Sequence, residues 1–150
     1  MMRGLYPITP DTADTDALLR KVEAALKAGV AMLQYRNKSI SKDKRLLQAK
    51  ELTLLTRGYG VPLIVNDDID IALAVAANGA HIGKDDGELG AARAQLAGKI
   101  LGVSCYDSLE SARAAVRAGA DYVAFGSVFP SPTKPGAKRA PLSLFHHDLG

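Results

Sequence analysis

Leu63-Ile64-Val65-Asn66-Asp67-Asp68, followed after a short Ala-rich segment by Gly79-Ala80-His81-Ile82-Gly83-Lys84-Asp85-Asp86, decides how the chain is read. Val61-Pro62 lead into an apolar run that stops at three polar groups, and a second apolar run ends in another polar burst. The pattern predicts strand, helix, strand, with carboxylates closing both strands. Strands joined by a helix run parallel, and parallel strand ends lie on one side of a sheet. Asp67 and Asp86 are therefore placed to converge although distant in sequence. Two carboxylates beside lysine and arginine suit a divalent cation carrying a phosphorylated ligand. A plainer role stays open: these acids cap the next helix, Asp68 more readily than Asp67.

The same alternation extends in both directions. Upstream, residues 5–9 read as a first strand closed by Pro10 and Asp11. Asp14 or Thr15 caps a helix with Leu18, Leu19, Val22, Ala25 and Leu26 at helical spacing, and Gly29 ends it. Residues 30–35 form a second strand, and Ser41 caps a helix with Leu46, Leu47, Ala49, Leu54 and Leu55 as its apolar positions. Residues 61–66 and 80–83 are the third and fourth strands, flanking a helix over 69–77. Downstream come a helix over 88–96, a strand over 100–104, and a helix opened by a capping box at Asp107 and Glu110. A sixth strand over 121–125 precedes a long loop, 126–140, and Pro141 stands where a further helix begins. Gly29-Val30, Gly79-Ala80 and Gly119-Ala120 repeat one junction, each glycine expected to supply a left-handed turn between helix and strand.

About six strands alternating with helices predict an α/β fold with a parallel sheet. Either a (β/α)8 barrel or an open doubly wound sheet satisfies the alternation. No Gly-rich fingerprint follows the first strand, which weakens a dinucleotide-binding reading. The chain has 150 residues, whereas a full barrel takes about 250. The expectation is a single domain over 1–150: an incomplete barrel of (β/α)8 type that stops before the last two β/α units.

Hydrophobic residues make up 47%, enough for a core built from Ala, Val, Leu and Ile, and there is no Trp. A formal charge of +3 is too small to argue for nucleic acid, and no aromatic cluster of an RNA-binding kind is present. Lys42-Asp43-Lys44-Arg45 reads as a solvated helix face. Cys105 is the single cysteine, which excludes an intramolecular disulfide and fits a reducing compartment. No stretch approaches the roughly 20 apolar residues of a membrane span, and Pro7, Pro10 and Asp11 interrupt any signal-peptide core. A cytoplasmic location is expected.

Folds of this type place their chemistry at the C-terminal strand ends. Those ends carry Gln34, Arg36 and Lys38; Asn66 and Asp67; Lys84, Asp85 and Asp86; Ser104 and Cys105; and, after the sixth strand, Ser131, Thr133 and Lys134. Cations, carboxylates and small hydroxyls suit binding a pyrophosphate through metal and basic groups. No Ser/His/Asp nucleophile arrangement is present. His81 and Tyr35 read as packing residues, Cys105 as a small core residue, and His146 and His147 as part of a frayed tail.

Gln34-Tyr35-Arg36-Asn37-Lys38, Asn66-Asp67-Asp68, His81 through Asp86, Gly102-Val103-Ser104 and Phe125 through Lys134 occur in order over residues 5 to about 145. In these pieces the chain resembles the thiamine-phosphate synthase family. The resemblance implies a transferase of thiamine biosynthesis that couples hydroxymethylpyrimidine pyrophosphate to thiazole phosphate. Gln34, Arg36, Lys38 and Lys134 would hold the pyrophosphate, and Asn66 and Ser104 would touch the pyrimidine substrate. Asp67 and Asp86 would bind Mg²⁺, and Ser131 and Thr133 would meet the thiazole phosphate. Arg36, Lys38, Ser104 and Lys134 are the expected catalytic groups.

Departures from the family pattern leave two other readings open. Lys84 stands where glutamine is frequent, and Ser131 replaces the usual threonine. The seventh and eighth strands have no counterpart, so a non-catalytic remnant that binds the pyrimidine pyrophosphate or a partner chain is one alternative. A thiazole tautomerase-like relative is the other, although the histidine it needs near Cys105 is absent. Open sheet edges predict self-association; partners are otherwise small phosphorylated molecules, with neither nucleic acid nor membrane.

Overall fold

The computed structural model describes residues 2–83, 88–129 and 139–149. The chain divides into two compact units, Met1–His81 and Ile82–Gly150.

The first unit holds helices α1 (Thr15–Ala28), α2 (Lys42–Gly58) and α3 (Ile69–Ala74), alternating with strands β1 (Leu33–Tyr35), β2 (Leu63–Asn66) and β3, whose span Gly79–Ile82 closes it. The strands pair in parallel, with Leu33 opposite Leu63, Val65 opposite Ala80 and Asn66 opposite His81. Asp14 starts α1, its carboxylate accepting from the Ala17 N–H at 3.0 Å. Leu18, Val22 and Leu26, one helical face of α1, are buried, as are the sheet residues Leu33, Leu63, Ile64 and Val65. Each such side chain contributes on the order of 1.5–3 kcal/mol by leaving water.

The first expected strand shrinks to a single parallel bridge between Ile8 and Gln34. Gln34 N–H donates to the Pro7 carbonyl at 2.9 Å and Thr9 N–H to the Gln34 carbonyl at 3.0 Å. Pro7 has no N–H with which to extend the ladder. The described residues therefore contain five named strands, not six.

Helix α2 is rotated from its expected orientation. Its buried residues are Gln48, Ala49, Leu52, Thr53 and Thr56, while Leu46, Leu47 and Leu54 are exposed. Burial follows hydrogen bonding here: the Gln48 amide bonds with Tyr35, Asn37, Thr12 and Thr15, which turns its face inward. The repeated junction also holds at two of its three positions. Gly29 and Gly119 take φ of 94° and 97°, but Gly79 lies within β3, and Ala76 (φ 55°) makes the turn after α3 instead.

The second unit holds α4 (Leu89–Gln95), β4 (Ile100–Tyr106), α5 (Leu109–Arg117), β5 (Tyr122–Phe125) and a short 3₁₀ helix (Leu142–His146) entered through Pro141. Ser108, not Asp107, caps α5 by accepting from the Ser111 N–H at 3.0 Å. β4 and β5 pair in parallel, with Gly102 opposite Tyr122 and Ser104 opposite Ala124. Gly102 leaves room there for the Tyr122 ring, which lies across it where a Cβ would stand. The register shifts between Ser104 and Tyr106, and Tyr106 takes φ 54°. Cys105 is buried, as a small core residue would be. Phe145 of the 3₁₀ helix meets Phe125 edge to face at 5.5 Å. Strands joined by helices and paired in parallel make this an α/β fold of incomplete (β/α)8-barrel type. No helix among the described residues is long and apolar enough to cross a membrane.

Candidate active site at the strand ends

In the first unit, β1 and β2 end side by side, because Tyr35 pairs with Val65. The residues that follow each strand are thereby brought together. Lys38 Nζ stands 3.2 Å from Asp67 Oδ2, with the two side chains 53% and 38% exposed. An ion pair this exposed is worth at most about 1 kcal/mol, so both groups can exchange it for a ligand at small cost.

Asp67 and Asp68 divide the two roles left open by the sequence. Asp68 caps α3, its carboxylate accepting from the Ile71 N–H at 3.0 Å. Asp67 takes φ 60°, a left-handed conformation that aspartate tolerates better than most residues, and its N–H donates to the His81 carbonyl at 2.8 Å. That turn ends β2 and releases the Asp67 carboxylate toward Lys38. Arg45 and Lys42 stand 3.9 and 3.8 Å from Asp68 Oδ2, so this second acid is neutralised from the α2 side.

Lys38, Asn66 and Asp67 line a cleft of about 270 Å³, together with Tyr35, Asn37 and Arg45. Gln34 and Arg36 are not among the residues that line it. Gln34 is buried and its Nε2 donates to the Tyr6 hydroxyl at 3.0 Å. Arg36 Nη1 lies 3.7 Å from Asp11 Oδ1. Ser104 stands in the second unit on β4, partly exposed, where the strand irregularity begins. Asp86, Ser131, Thr133 and Lys134, and the atypical Lys84, lie outside the described residues.

Two neighbouring groups are packing residues, as their positions led us to expect. His81 is buried; burial pushes its pKa below the ordinary 6.5, opposed by the Asp67 carboxylate. Tyr35 is buried with its hydroxyl donating to Gln48 Oε1 at 2.7 Å, and burial raises its pKa to about 12 against the nearby Arg45 charge. Burial thus moves both pKa values away from neutrality, in opposite directions.

The donor chemistry at Asp67 fits Mg²⁺: an exposed carboxylate is a hard oxygen ligand, and this ion needs only one or two of them when substrate phosphates and water complete the shell. Among the described residues no three acids, histidines or cysteines cluster as a metal site made by protein alone.

Sequence reading missed Thr9, Asp11, Thr12 and Gln48, which bind the backbone and side chains of the segment after β1. Their partners are 11 to 36 residues away, beyond any local pattern. The one available signal was a glutamine at a core-facing spacing of α2.

A family profile described as thiamine monophosphate synthase matches residues 5–147. The chain belongs to the thiamine monophosphate synthase family. It is 55% identical over 145 residues to a thiamine-phosphate synthase of Aromatoleum aromaticum, covering 96% of this chain and 70% of that protein. It is 56% identical to one of an Azoarcus species, covering 95% and 70%. The thiamine phosphate pyrophosphorylase of Pyrococcus furiosus, a solved structure, superposes with a TM-score of 0.75 at 36% identity, covering 85% of this chain and 61% of that one. An N-acetylneuraminate lyase from Fusobacterium nucleatum shares the fold alone, at 14% identity and a TM-score of 0.64 over 83% of this chain and 45% of that one. The chain thus spans about 70% of those curated synthases and 61% of the solved pyrophosphorylase. Enzymes named as synthases of this family are transferases of thiamine biosynthesis, and the alternative remnant and tautomerase readings find no support among these relatives.

Proposed function

We propose that the chain acts as a thiamine-phosphate synthase, joining hydroxymethylpyrimidine pyrophosphate to thiazole phosphate with release of pyrophosphate. The observation that carries this reading is the 3.2 Å approach of Lys38 to Asp67 at neighbouring C-terminal strand ends. A cation for a leaving phosphate and a carboxylate for its counter-ion are the two groups the reaction asks for first.

The C–O bond between the pyrimidine methylene and the pyrophosphate breaks, and the electron pair leaves with the pyrophosphate. The thiazole nitrogen then forms a C–N bond to the resulting pyrimidine cation. Gln34, Arg36, Lys38 and Lys134 hold the departing pyrophosphate. Asn66 and Ser104 orient the pyrimidine, and Ser131 and Thr133 receive the thiazole phosphate. Asp67 and Asp86 hold Mg²⁺, which when bound neutralises charge on the pyrophosphate. No general base is needed, consistent with the buried states of His81 and Tyr35.

The enzyme works in the cytoplasm and self-associates. Leu5 and Ile8, 72% and 55% exposed beside β1, support an edge covered by another chain. A monomer by sedimentation at micromolar concentration would remove the self-association. Asp67→Ala is expected to abolish Mg²⁺-dependent coupling of the two substrates. Undiminished turnover in that variant would remove the metal assignment.

A further inference from the structure

Arg36, Asn37 and Lys38 are each gripped by one short segment, residues 9–12, that lies 25 to 27 positions upstream. The Thr9 hydroxyl makes two bonds to one residue. It accepts from the Arg36 N–H at 3.0 Å and donates to the Arg36 carbonyl at 3.1 Å. Thr9 is buried, so water does not substitute readily for either bond. The Asp11 carboxylate accepts from the Lys38 N–H at 3.1 Å. The Thr12 carbonyl accepts from Asn37 Nδ2 at 2.7 Å, and the same carbonyl accepts from Gln48 Nε2 at 3.1 Å.

We propose that residues 9–12 form a strap that positions the pyrophosphate-binding cations Arg36 and Lys38, with Thr9 as its principal positioning residue. The inference rests on the reading above that these two cations take the pyrophosphate. Thr9 touches no substrate; it acts by fixing the backbone from which Arg36 projects. A backbone fixed before the ligand arrives need not be ordered at the expense of binding energy. It also keeps the guanidinium and ammonium groups where leaving-group charge develops, and misplacement of about 1 Å at such a site costs up to a hundredfold in rate. Proline at position 10 suits this role, since its fixed φ stiffens the strap between its two gripping side chains.

The test uses the full chain, inorganic pyrophosphate with Mg²⁺ as the probe, and amide hydrogen exchange without ligand. Thr9→Val removes the hydroxyl at nearly constant volume, and Thr9→Ser retains it. Thr53→Val is the control: it deletes another buried threonine hydroxyl, bonded to the Ala49 carbonyl at 2.8 Å within α2. Thr9→Val is expected to weaken pyrophosphate binding roughly five- to tenfold, the worth of one or two hydrogen bonds. It should also accelerate exchange at the Arg36 amide by about tenfold or more. Thr9→Ser should restore both, and Thr53→Val should lower the melting temperature while leaving both unchanged. If the unsubstituted chain binds pyrophosphate and Thr9→Val binds it equally well, the strap is overturned while the proposed function stands. If Thr53→Val weakens binding as much as Thr9→Val, the effect is general destabilisation and the strap is likewise overturned. If the unsubstituted chain does not bind pyrophosphate at all, the proposed function fails and the strap's assignment to that ligand fails with it.

Discussion

Two charged clusters of similar composition sit at opposite ends of their own strands. In the first unit, Arg36 and Lys38 meet Asp11 and Asp67 just beyond the C-terminal ends of β1 and β2, at 3.7 and 3.2 Å. In the second, Arg93 meets Asp121 at 3.0 Å just before the N-terminal ends of β4 and β5. The Arg93 guanidinium makes three further hydrogen bonds, donating to the carbonyls of Gly119, Lys99 and Leu96. Asp121 accepts in addition from the Leu101 N–H at 2.8 Å, tying the entries of the two strands together. The cations of the first cluster are held through their backbone, and their charged ends make only loose ion pairs that are at least partly exposed. The lesson is that charge alone does not mark a site. What marks it is charge left available at the strand end where parallel α/β folds gather their loops, while the other end serves stability.

The comparison breaks if the two clusters respond alike to substitution. The largest effect is expected from Lys38→Met, which should lower kcat/KM on the order of a hundredfold through loss of charge at the leaving group. Its melting temperature should stay within about 2 °C, as for other exposed ion pairs. Asp121→Ala should do the reverse. It leaves the Leu101 N–H without its acceptor, removes one of the four acceptors of Arg93, and should cost about 2 kcal/mol, roughly 4–8 °C in melting temperature, with KM unchanged. A KM change in that variant would erase the contrast between the two ends.

A sharper form of the same comparison comes from packing. Gly102→Ala places a methyl group against the Tyr122 ring and should destabilise by about 1–3 kcal/mol through overpacking. Denaturant unfolding monitors it directly, and the smaller Tyr122→Ala in the same chain should recover part of the loss.

The smallest expected effect is a pH dependence at His81. Its folded pKa is below the ordinary 6.5 because burial disfavours the charged form. As pH falls through 6.5 the unfolded chain takes up a proton there before the folded chain does. The stability this residue contributes is therefore present above pH 6.5 and lost as pH falls from there to the lower folded value. His81→Gln should narrow the difference in melting temperature between pH 7.5 and pH 5.5. An unchanged difference would mean that His81 does not carry it.

Much of the fold could be read from local patterns because the interactions behind it are local. A cap forms between residues three apart, as at Asp14, Ser41 and Asp68, and each of these starts a helix where the residue type says it should. Leu18, Val22 and Leu26 are buried at helical spacing for the same reason. The reading failed where a long-range partner overrode the pattern. Pro7 cut the first strand to a bridge, since a ladder needs an N–H from every second residue. Gln48 turned α2 by satisfying four distant polar groups, leaving Leu47 and Leu54 exposed.

The order of elements, the acids and cations at their ends, and the family pattern they compose are properties of the sequence alone, because each depends on residue type and short spacing. The left-handed turn at Asp67, its separation in role from Asp68, the inward face of α2 and the grip of Thr9 on Arg36 were decided by the tertiary structure. Each of them requires a partner that chain folding brings within hydrogen-bond distance across many residues, and a linear pattern carries no record of which partner that is.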